Sequence, residues 1–83
     1  MSNNHDSFKK ACRVLARSVA THRVAQNLTQ EDLAGLSGLH PNAISRIERC
    51  PPDVMHGPTL RTLSRLADAL GVPISALLSE VTP

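Results

Sequence analysis

The side chains able to do chemistry in this chain are few, and their types and spacing point to recognition rather than reaction. Cys12 and Cys50 are its two thiols, far apart in sequence and without metal-ligand spacing. His5, His22, His40 and His56 never fall at i and i+4 of one another, so no helical face pairs two imidazoles for a metal ion. No Ser-His-Asp, Cys-His or paired-carboxylate arrangement can be assembled, because the hydroxyls and carboxylates have ordinary positions as caps and helix-face charges. The reading is therefore of a protein that is not an enzyme, with no metal, no cofactor and no evident small-molecule ligand. What remains is a polar group, Asn42, Ser45, Arg46 and Arg49, sharing one short segment with Ile44 and Ile47. An Arg can clasp O6 and N7 of guanine with two hydrogen bonds, and an Asn can hold N6 and N7 of adenine in the same way.

Two short helices and a tight turn must position that group, in the stretch LTQEDLAGLSGLHPNAISRIER at 28–49. Thr29 stands where an N-cap belongs. With Asp32 three residues on, it forms the Thr-x-x-Asp version of a capping box, so a helix opens at Gln30. Leu33, Ala34 and Leu36 are its expected core face. Gly38 supplies the left-handed residue that ends the helix without steric cost, and Leu39 can fold back onto the apolar face. Pro41 suits the first position of a second helix, leaving His40 as a mediocre N-cap. Ile44 and Ile47, three apart, face inward, while Asn42, Ala43, Ser45, Arg46 and Arg49 lie outward or at the rim. That is the layout of a helix-turn-helix.

At these residues the chain resembles a known family. The run Thr29-Gln30-Glu31-x-Leu33-Ala34-x-x-Ser37-Gly38-Leu39, followed by Ile44-Ser45-Arg46-Ile47-Glu48-Arg49, is similar to the Cro/repressor-type, or XRE, helix-turn-helix family. The likeness continues through Pro58-Thr59-Leu60-x-Thr62-Leu63 and Leu66-Ala67-Asp68-Ala69-Leu70-Gly71-Val72 to Leu77-Leu78, and so covers residues 15–78. It implies a lambda-repressor-like bundle that presents the second helix of the motif to the major groove of double-stranded DNA. The matching base-contacting positions are Pro41, Asn42, Ser45 and Arg46. Gln30, at a helix N-terminus whose free N–H groups favour a phosphate, matches the residue that the family uses to hold the backbone and orient its neighbour. Arg23 and Glu48 match a buried structural ion pair. Arg17, Arg49 and Arg13 are expected to neutralise phosphates. The chain also departs from the pattern: Pro41 has no side-chain donor, Cys50 replaces a usual Gly, and a longer, less basic loop follows it.

Composition bounds the rest. Eighty-three residues allow one small domain, and a domain of this size buries only about 60% of its unfolded surface. Apolar residues make up 41% of the chain with Phe8 the single aromatic, which indicates an aliphatic core, and no segment alternates apolar and polar residues for long. The expected class is all-α. The net charge of +2 says little alone, but Lys9, Lys10, Arg13, Arg17 and Arg23 gather in the first third against Asp6. A solvated helix face explains Lys9, Lys10 and Arg13 as well as a binding role does. Two unpaired thiols, no membrane-length apolar run and a polar start MSNNHDS point to a cytoplasmic protein, nucleoid-associated through DNA binding.

In chain order, residues 1–5 read as a flexible tail and 6–83 as a single domain. Asp6 is the expected cap of a helix over 7–26 whose inward stripe is Phe8, Cys12, Leu15, Val19 and Val24, closed by a left-handed Asn27. Its first turns, with Phe8, Ala11 and Cys12 inward, would pack on the chain's own C-terminal helix or on another subunit. CPPDVMHGP at 50–58 is a loop, with Val54 and Met55 as a local hydrophobic plug. Thr59 opens a helix with Leu60, Leu63, Leu66, Ala67 and Leu70 on one stripe, ended by Gly71. Pro73 at N1 starts a last helix facing inward through Ile74, Leu77, Leu78 and Val81. Five helices form a compact bundle.

Two function classes fit this reading. One is a sequence-specific DNA-binding transcriptional regulator, most simply a repressor acting as a homodimer on a palindromic operator. The other is a protein-interaction module, such as an antitoxin or accessory subunit, on the same fold. The long loop without basic residues favours the second; Gln30, Asn42, Arg46 and Arg49 together favour the first.

Overall fold

A computed structural model describes residues 4–80, with side chains from Ser7 onward. Five helices follow in order: α1 Asn4–Ala25, α2 Gln30–Ser37, α3 Pro41–Arg49, α4 Leu60–Leu70 and α5 Ile74–Leu77. No strand occurs among the described residues.

The middle elements start and stop on local signals. Asp32 N–H donates to Thr29 Oγ1 at 2.9 Å and Thr29 N–H donates to Asp32 Oδ2 at 2.9 Å, completing the capping box of α2. Gly38, at φ 75°, ends that helix with its N–H on the Ala34 carbonyl. Thr59 Oγ1 accepts from Thr62 N–H at the head of α4, and Gly71, at φ 71°, ends it. Asn27 takes the left-handed position beyond α1, at φ 59°.

Each helix contributes its inward stripe to one core: Leu15 and Val19 from α1, Leu33 and Ala34 from α2, Ile44 from α3, Leu66, Ala67 and Leu70 from α4, and Leu77 from α5. Leu28, Leu39, Ile47, Leu63, Ile74 and Val72 pack around it half-buried. Two polar groups tie the ends of the bundle to this core. The fully buried Ser18 hydroxyl donates to the Ala76 carbonyl at 2.9 Å, and the Gln26 amide donates to the Leu70 carbonyl at 2.7 Å.

Several expected placements differ, each for a local reason. α1 begins at Asn4, so Asp6 lies within the helix rather than capping it, and helix replaces part of the expected tail. Residues 1–3 of that tail, and Val81, lie outside the described residues. Val24 and Leu36 are exposed at 61% and 62%: Val24 lies about 140° around α1 from Val19, and Leu36 lies about 100° around α2 from the middle of the side that Leu33, Ala34 and Ser37 bury. Leu60 is exposed at the first position of α4, and Leu78 follows α5 half in solvent. Pro73 is the N-cap of α5 rather than its first residue, and α5 is a single turn. The apolar plug divides: Val54 is half-buried while Met55 is 77% exposed.

The first turns of α1 pack on a part of the chain that the sequence did not indicate, the loop at 50–58. Phe8 lies against Gly57, close enough that a Cβ there would come within 3.0 Å of its ring. Lys9 Nζ donates to the Pro52 carbonyl at 3.1 Å. The extension therefore braces the loop at 50–58, and the exposed Lys10–Glu80 pair, at 3.6 Å, joins it to the C-terminal end.

Candidate nucleic-acid interface

α3 is held from behind and open in front. Ile44 is fully buried and Ile47 half-buried on its inner side, giving the helix a strongly two-sided character. At roughly 100° per residue, Asn42, Arg46 and Arg49 fall within an arc of about 60° on the opposite side, with Ser45 at its edge. Asn42, Arg46 and Arg49 are exposed; Ser45 and Pro41 are half-buried. The outer face is thus one narrow polar row.

The entry to α3 is firmer than residue type alone indicates. His40 has extended backbone, and its Nδ1 accepts from Asn42 N–H at 3.0 Å, satisfying one of the free donors of the first turn. Pro41 at N1 has no N–H to leave unpaired.

A clamp of three side chains fixes the orientation of α3 against α1 and α2. Arg23 Nε donates to Glu48 Oε2 at 2.8 Å and Arg23 Nη2 to Glu48 Oε1 at 3.0 Å, a two-pronged pair with side chains only 16% and 8% exposed. Arg23 Nη1 donates to the Leu28 carbonyl at 2.7 Å, which anchors the turn before α2 as well. The hydrogen bond to Glu48 raises the Arg23 pKa further, against the opposing effect of burial. Gln30 Nε2 donates to Glu48 Oε1 at 3.2 Å. Glu48 thus serves both partners, a double role that nothing in the spacing of Gln30 and Glu48 announces. Among the described residues, no buried side-chain nitrogen or oxygen lacks a partner.

Arg17 stands apart from this row. It is exposed on α1 and lines a surface depression with Lys10, Arg13, Val14 and Glu80, roughly 140° around α1 from Cys12, which faces α3. Its basic neighbours form a second patch, on the side where α1 meets the C-terminal end.

At the far end of α3 the backbone turns left-handed at Cys50, φ 44°, with Cys50 N–H donating to the Arg46 carbonyl at 3.2 Å. A groove of about 220 Å³ opens there, lined by Cys12 and Leu15 of α1, Ala43, Arg46 and Ile47 of α3, and Cys50, Val54 and His56 of the loop. No helix of the described chain is long and apolar enough to cross a membrane.

Comparison with known proteins agrees with this geometry. The model of the helix-turn-helix family matches residues 19–77. The chain is 42% identical over 73 residues to control protein C.SmaI of Serratia marcescens, covering 88% of this chain and 82% of that protein. Its fold is similar to that of the restriction-modification controller protein C.AhdI from Aeromonas hydrophila, with a TM-score of 0.71 at 29% identity, over 80% of this chain and 94% of the other. It is also similar to a hypothetical transcription factor, NHTF, from Neisseria, with a TM-score of 0.73 at 31% identity, over 84% and 76%.

Proposed function

We propose, for a chain that belongs to the helix-turn-helix family of DNA-binding transcriptional regulators, that it binds as a homodimer to a palindromic operator and represses transcription there. The carrying observation is the exposed row Asn42, Arg46 and Arg49 on a helix whose opposite side is locked by Ile44 and the Arg23–Glu48–Gln30 clamp. B-DNA's major groove, about 12 Å wide, admits one such helix. Arg46 would read a guanine bidentately, Asn42 an adenine, and Ser45 and Pro41 would add a short polar and an apolar contact. Gln30 would hold a phosphate while Glu48 steadies its amide. Arg49, Arg13 and Arg17 would neutralise further phosphates, the last two from the flank of α1.

Dimerisation is supported by the small size of the domain and by Leu60 and Leu78, large apolar side chains left exposed on elements that carry none of the row. Two-fold symmetry would set the two α3 helices about 34 Å apart, one turn of DNA. The names of two similar proteins favour restriction-modification genes as the regulated set. Selection of bound duplexes from a random library tests the reading. Recovery of a two-fold symmetric site supports it; failure to enrich any duplex at low salt removes it.

A further inference from the structure

The loop at 50–58 and the first turns of α1 bring together the two cysteines of the chain. Cys12 and Cys50 are both free, both half-buried, and both line the groove beneath the end of α3. Cys50 is a neighbour of the Cys12 thiol and acts on its ionisation. A second feature is backbone. Cys50 occupies a left-handed position where an L side chain costs energy and a glycine would not. The residue that accepts this strain lines the same groove as Cys12.

We propose that Cys12 and Cys50 are an oxidation site, a dithiol that a peroxide converts into an intramolecular disulfide stapling α1 to the end of α3. The Cys50 thiolate attacks one peroxide oxygen, forming a sulfenic acid and releasing the other oxygen as water after protonation. Cys12 then attacks the sulfenic sulfur, the S–S bond forms, and the hydroxyl leaves as a second water. Two thiols and one hydrogen peroxide thus give one disulfide and two waters, with the two electrons passing to the peroxide. Burial, then the adjacent Cys50, pushes the Cys12 thiol up, which suits Cys12 to the second step rather than the first. The link closes a long loop that holds most of α1 and all of α2 and α3, so it restricts the unfolded chain substantially.

The full chain treated with hydrogen peroxide tests this. Intact mass should fall by about 2 Da, one peptide pair joining Cys12 to Cys50 should appear after digestion, and Tm should rise by on the order of 10 °C, all reversed by dithiothreitol. Cys50→Gly, which keeps the left-handed turn and removes one sulfur, should fold and show no peroxide-dependent rise in Tm. Oxygen addition to either cysteine without a link, a disulfide between two chains, or an unchanged mass would each overturn the proposal. So would an equal Tm rise in Cys50→Gly.

Discussion

The two ends of α3 are built from opposite materials. At the entry, Gly38 turns left-handed, His40 caps the first turn and Pro41 starts the helix; every device is local and lies within four residues. At the exit, a cysteine adopts the left-handed turn, and the loop beyond it is supported by residues some forty positions away: Phe8 under Gly57, Lys9 on the Pro52 carbonyl, Cys12 beside Cys50. The entry is written in nearby residue types, whereas the exit depends on α1 being in place. Between them, Glu48 joins both styles, since it sits in α3 but draws on Arg23 and Gln30.

The largest effect should come from breaking that junction. Glu48→Ala leaves the Arg23 guanidinium buried without its carboxylate, which costs roughly 3–5 kcal/mol. At about 4–8 °C per kcal/mol for a domain of this size, Tm should fall by more than about 10 °C. A variant melting within a degree or two of the parent would show that the pair is not structural.

Next is a contrast of the two turns. Gly38→Ala meets no side chain nearer than 3.9 Å, so its cost is the backbone strain at φ 75° alone, about 1–2 kcal/mol. Thr29→Ala removes the side-chain half of the capping box and should cost about 1 kcal/mol. Cys50→Gly should run the other way under reducing conditions, gaining up to about 1 kcal/mol as the strain is relieved. Urea unfolding of the three variants measures the contrast, and a Cys50→Gly protein as destabilised as Gly38→Ala would erase it.

This contrast also explains what could be read from residues alone. The capping box at Thr29 and Asp32, the left-handed Gly38 and Asn27, the caps at Thr59 and Gly71, and, apart from Leu36 and Leu60, the inward stripes of α2 to α4 all follow from short-range rules, and they appear where those rules put them. The core positions that differ, Val24, Leu36, Leu60 and Leu78, are apolar residues at helix ends or beside the stripe, where periodicity cannot tell how far a neighbouring element extends. The support of the 50–58 loop by α1 was not legible for a related reason: contacts between residues forty apart leave no periodic trace. Within the interface, the outward placement of Asn42, Arg46 and Arg49 follows from Ile44 and Ile47, while the position of Arg17 away from the row depends on how α1 lies across the bundle.

The smallest effect is one of pH. Hydrogen bonds from the Thr29 backbone, then its side chain, hold the Asp32 carboxyl below its ordinary value. A depressed folded-state pKa stabilises the fold above the unfolded value, and the contribution disappears as pH falls through the lower, folded one. Below about pH 4, stability should therefore decline less steeply in Asp32→Asn than in the parent. An identical slope in both would remove Asp32 from the acid response.

In the proposed function α3 reads sequence while its surroundings supply affinity, and base preference measured across all substitutions of a recovered operator tests that directly. Arg46→Ala should cost about 1–3 kcal/mol per half-site and lose discrimination at one base pair of each. Gln30→Ala should weaken every sequence alike, since a phosphate contact carries no base information. The loop at 50–58 holds Asp53 and no Lys or Arg, so the dependence on salt should be shallow, with about −0.9 in log–log slope for each neutralised phosphate. An Arg46→Ala protein that kept the parent's preference at every position would contradict the reading of α3 as the sequence-recognising element.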